Sequence, residues 1–150
     1  MKLRILSLMA LVALASFSSG CAPQNVSGAS NDTEGEAVQD QAGLIEALEA
    51  AGANVEPGHP IEQPFISVPG QILKVNAEDV QVYEYETAEV MGTEASQITE
   101  DGGRMGTSTI GWVDTPHFFR SGRLLVLYVG GDAAVLDLLK GALGEEFAGR

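Results

Sequence analysis

The amino-acid sequence predicts an α+β domain, a mostly antiparallel five-stranded sheet packed on three helices in the order α-β-β-β-α-β-β-α. Three observations carry that expectation. Apolar residues recur at helical spacing in three separate stretches, each bounded by a residue suited to capping. Five other runs are rich in β-branched and aromatic residues. The links between successive strands are short, which favours antiparallel pairing over crossovers.

In GLIEALEAAG, Leu44, Ile45, Leu48 and Ala51 share one helical face, and Gly52 is placed to cap the C-terminus. Pro69 and Gly70 suit the centre of a type II turn, with residues 65–68 and 72–75 as hairpin arms. After a turn at 76–79, VQVYEYE reads as a third strand. Thr87 is positioned to cap a helix carrying Ala88, Met91, Ala95 and Ile98, which Gly92 weakens. EDGGRMGTS is a loop by its glycines, and TSTIGWV then alternates so that Ile110 and Trp112 share a face. RLLVLYVG is apolar on both faces, so residues 123–129 form a central strand covered twice. Its second cover is open to another chain, a partner protein or a second copy. Asp132 starts the last helix, with Leu136, Leu139 and Leu143 inward and Gly144 ending it.

A chain of 150 residues suits one ordinary domain. Lysine plus arginine number 8 against 21 acids, a net charge of -13. That balance argues against nucleic acid, whose phosphates reward basic surfaces, and it repels an anionic membrane face. The single cysteine, Cys21, can make neither an internal disulfide nor a sulfur-rich zinc site.

Lys2 and Arg4 precede an apolar run at 5–17, followed by Ser18, Ser19, Gly20 and Cys21. The run is shorter than the roughly 20 residues a membrane-crossing helix takes, and the layout is that of a secretory signal peptide. With small residues directly before a cysteine, the segment resembles the bacterial lipoprotein precursors, although Ser18 stands where that family usually has leucine. The resemblance covers the first 21 residues. It implies a diacylglycerol on the Cys21 sulfur, cleavage just before it, and a lipid anchor at the extracytoplasmic face, periplasmic or cell-surface. Ser18 and Gly20 also suit an ordinary signal peptidase, which would leave Cys21 a free thiol. Residues 22–41 hold four acids, no base and no aromatic, the composition of a flexible tether. The expected organisation is a signal peptide at 1–20, lipidated cysteine and acidic tether at 21–41, and one domain at 42–150.

WVDTPHFFRSGR concentrates the candidate ligand-binding residues: His117 as a proton donor or acceptor, Arg120 and Arg123 to pair an anion, and Trp112 beside them. Against this stands a plainer reading in which the aromatics fill the core and the arginines answer the excess acids. Glu84 and Glu86 alternate along one strand and would give an enzyme paired carboxylates. No serine sits in a hydrolase elbow, and GGRMGTS lacks the lysine of a phosphate loop. Glu56, His59 and Glu62 carry ligand chemistry on a proline-bearing stretch of unfixed shape, so no metal and no cofactor are expected. The expected function is a lipid-anchored envelope protein with a non-catalytic binding or interaction domain. The alternative is a small hydrolase using Glu84, Glu86 or His117.

Overall fold

A computed structural model describes residues 37–149. The expected signal peptide at 1–20, Cys21 and the stretch 22–36 lie outside the described residues. Helix α1 (Gln41–Ala50) starts where the Asp40 carboxylate accepts the Gly43 N–H, and it turns Leu44 and Leu48 inward. The helix ends at Ala50, leaving Ala51 as an exposed C-cap outside that face, and Gly52 takes a left-handed φ of 91°.

Strand β1 (Val55–Ile61) pairs with β2 (Gly70–Val75), which pairs with β3 (Glu78–Glu84). The hairpin arm expected at 65–68 is therefore a loop, and its place is taken by a strand containing Pro57 and Pro60. Proline has no N–H to give, which an edge strand tolerates, and the register shifts between these two prolines. Phe65, Ile66 and Val68 instead pack down onto the sheet as a cover. Asn76 and Ala77 close the β2–β3 hairpin with φ of 51° and 75°, the two positive values of a type I′ turn.

Helix α2 (Ala88–Ala95) begins at its expected cap, Thr87, and buries Met91 and Ala95. The strand expected at 107–113 does not enter the main sheet. β4 (Arg104–Met105) and β5 (Ser108–Thr109) make a separate two-stranded hairpin, and Ile110 and Trp112 leave it to pack on the sheet's second face. The strand that does enter is β6 (Pro116–Ser121), starting at a proline, and it pairs with β7 (Leu124–Val129). Helix α3 (Ala133–Leu143) is capped by Asp132, whose carboxylate accepts the Ala134 and Val135 N–H groups. The chain then returns as β8 (Ala148–Gly149) against β6.

The fold is thus α+β with three helices and an antiparallel sheet of six strands, not five, in the order β1-β2-β3-β7-β6-β8. Period-two alternation sorts its side chains into two cores. Val80, Val82, Phe119 and Val126 meet α1 and α3 on one side. Tyr83, Tyr85, Phe118, Leu125 and Leu127 meet α2 and the covering loops on the other. β7 is central, with β3 and β6 on its edges and both faces buried, as its double apolar pattern requires. Its second cover is this chain's own, made by α2 and the covering loops. No helix among the described residues is long and apolar enough to cross a membrane.

Candidate functional site

Packing begins upstream of residue 42. Val38 is 6% exposed and belongs to the first core, and three contacts sew the following residues to the β6–β7 turn. Ser121 Oγ donates to the Val38 carbonyl at 2.7 Å, and the Arg123 N–H donates to the Gln39 carbonyl at 3.0 Å. The Arg123 guanidinium lies 2.7 Å from Glu84 and 3.6 Å from Asp40. Glu84 uses its other oxygen to accept the Gln41 N–H at 3.0 Å. Gly122, at φ 52°, permits this approach, because a Cβ there would run into the Gln39 backbone.

His117 sits at the far end of the same strand pair, opposite Tyr128. Its Nδ1 lies 2.5 Å from Glu146 Oε2, and the two side chains are only 9% and 10% exposed. Lys140 of α3 approaches the other Glu146 oxygen at 3.7 Å. The imidazole stacks on Tyr128, ring centroids 6.1 Å apart. Tyr128 in turn accepts the Asp132 N–H at 3.1 Å, tying the start of α3 to the sheet. Burial pushes the Tyr128 phenol above its ordinary range, more than the hydrogen bond from Asp132 offsets.

Alternation along β6 sends Phe118 and Arg120 to the face opposite His117. There the Arg120 guanidinium lies over the Phe147 ring, 4.9 Å from its centroid. Trp112 packs edge-on to Phe65 and Phe118, both at 5.8 Å, and its indole N–H donates to the Gly102 carbonyl at 2.8 Å. The four residues Trp112, His117, Arg120 and Arg123 therefore do not converge; they divide between two faces and two ends of the sheet. Glu84 and Glu86 do not pair either, since β3 ends at Glu84 and Glu86 lies exposed beyond it. Sequence reasoning missed Glu146 and Lys140, the partners of His117. A separation of 29 residues leaves no local pattern from which that pairing could be read.

Glu56 and His59 lie on β1 with Glu62 just past its end, all three exposed. Among the described residues no three His, Cys, Asp or Glu side chains come together as a metal site. The glycine-rich stretch is shaped by Asp101, whose carboxylate accepts from Thr99 Oγ1 at 2.6 Å and the Gly103 N–H at 2.9 Å. Those bonds hold its carboxyl below the usual range. An open depression of about 510 Å³ lies beside this loop, between Glu100, Arg104 and Gly149. Another, of about 500 Å³, is formed by residues 62–64 and 66–69. Neither is lined by His117, Glu84 or Arg123. No family model, curated protein or solved structure matches the chain.

Proposed function

We propose that the chain is a lipid-anchored envelope protein, held to a membrane through Cys21, whose domain binds a ligand or partner and catalyses nothing. The observation that carries the second half is where the reactive side chains are spent. Glu84 is ion-paired to Arg123 and bonded to the start of α1, His117 is buried against Glu146, and neither lines the two depressions described above. Glu86 is exposed past the end of β3 and does not pair with Glu84, so the candidate carboxylates do not form the acid–base pair a hydrolase uses.

The anchor rests on the N-terminal sequence pattern. Its physical logic is that a strongly acidic chain gains nothing from an anionic bilayer surface, whereas two or three acyl chains hold it firmly at about 0.8 kcal/mol per buried methylene. Between Cys21 and Val38 the sequence carries acids and small polar residues, suited to a spacer. Intact-mass analysis of the membrane-extracted protein tests the reading. The expected mass is that of a chain beginning at Cys21 with a diacylglycerol added; a bare thiol on a freely soluble chain would overturn it.

A further inference from the structure

We propose that the groove between the 64–67 loop and the β4–β5 hairpin binds a neutral, hydroxyl-rich ligand of the saccharide class. This rests on the reading of the domain as a binding module and supplies its site. The groove is an open, mostly polar depression of about 350 Å³. Phe65 and Met105 give it an apolar side, and Glu94, Gln97, Thr107 and Ser108 give it a polar one. Phe65 is half-buried and steadied by its edge contact with Trp112, so its ring is a fixed surface. Gln97 lies over Gly106, where a Cβ would come within 3.0 Å of its side-chain oxygen, and Gly106 at φ 55° turns Thr107 and Ser108 to the outside.

The chemistry of the lining narrows the ligand. Glu94 accepts the Ser67 N–H at 2.9 Å on one oxygen and the Ser67 hydroxyl at 2.6 Å on the other, which fixes the carboxylate in the lining. An anion would meet that carboxylate inside a protein of net charge -13. A wholly apolar ligand would strip water from an amide, two hydroxyls and a carboxylate without replacing it. A ring with hydroxyls on its edge and C–H groups on its face satisfies both sides: hydroxyls toward Gln97, Thr107 and Ser108, and the C–H face toward Phe65.

The test is titration of the full chain in detergent micelles with chitotriose and with maltotriose, both neutral. Readouts are the emission of Trp112, the chain's one tryptophan, and amide chemical shifts. Saturable binding of either sugar is expected, with affinity reduced about tenfold by Gln97→Ala or Thr107→Val. Shifts should be confined to 64–67, 94–97 and 105–108, a mapping that holds even where a variant fails to fold. No response to either sugar up to about 10 mM, or shifts centred elsewhere, overturns the proposal. The mass of the same preparation separates the two readings. A lipidated chain that ignores both sugars loses the groove alone, and an unlipidated chain that binds one loses the anchor alone.

Discussion

Glu84 and Arg123 form an ion pair at 2.7 Å that closes the end of the β3–β7 ladder and simultaneously fixes the start of α1, because the second Glu84 oxygen accepts the Gln41 N–H. One carboxylate thus joins two strands and a helix terminus. Both partners are more than one-third or close to one-third exposed, so the pair itself is worth little in water. The helix-terminal bond adds to it. Glu84→Ala should cost about 1 kcal/mol in urea unfolding and should speed amide exchange at residues 41–43 more than in α3.

His117→Ala should behave as a core lesion. It removes the partner of a carboxylate that is 10% exposed, and Lys140 at 3.7 Å is a weaker answer to that charge. Stranding a buried charge typically costs about 3 kcal/mol or more, against less than 1 for an exposed pair. A melting temperature unchanged by this substitution would show that Glu146 is satisfied some other way. The double variant His117→Ala, Glu146→Ala should recover part of the loss, since no charge is then stranded.

The helices were legible because their signals are local. Thr87 and Asp132 sit at the expected starts of α2 and α3, and the buried residues of these helices include Met91, Ala95, Leu139 and Leu143, read correctly from spacing; Asp40, which caps α1, lies in the stretch that reads as an acidic tether. Two strands were misplaced for reasons that spacing cannot express. VEPGHPI looks like a loop until an edge position excuses its prolines. PHFFRS was absorbed into a cluster of chemically interesting residues, although its burial on both faces is the mark of a strand inside a sheet. The grouping of the candidate residues had the same limit: sequence proximity in 112–123 says nothing about alternation, which throws His117 and Arg120 to opposite faces.

Ala77 is the residue the β2–β3 turn tolerates least. It occupies a left-handed conformation at φ 75°, where its Cβ crowds the following carbonyl, and it is exposed, so the methyl gains nothing from packing. Ala77→Gly would give the favoured Asn-Gly turn. Relief of about 1 kcal/mol exceeds the roughly 0.5 kcal/mol of extra chain entropy glycine brings, for a net gain near 0.5 kcal/mol by urea midpoint. A loss of stability would mean that the turn is not of type I′.

Tyr85 carries a buried hydroxyl with no hydrogen-bond partner among the described residues. The surrounding second core includes Met91, Ala95 and Met105. A donor cut off from water typically costs about 1–3 kcal/mol, and phenylalanine has the same ring without it. Tyr85→Phe should therefore raise stability by about 1 kcal/mol in urea unfolding at neutral pH. A destabilised variant would show that the hydroxyl has a water partner.

Alkali should unfold the domain through its phenols. The chain's three tyrosines are Tyr83, Tyr85 and Tyr128, all buried, and burial pushes each above its ordinary range, with the Glu94 charge adding to the effect on Tyr85. In the unfolded chain they titrate near 10. Below that pH both states hold the protons and the stability is complete; above it only the unfolded state releases them, so stability falls as pH rises. Each phenol kept protonated contributes a slope of up to about 1.4 kcal/mol per pH unit, and Tyr85→Phe should remove one such contribution. Phenolate absorbance from Tyr83 and Tyr85, the two phenols burial raises most, should thus appear only together with the loss of structure, leaving at most the Tyr128 step in the native protein. Absorbance of two or more phenols rising near pH 10 while the far-ultraviolet signal stays native would place Tyr83 or Tyr85 in contact with solvent.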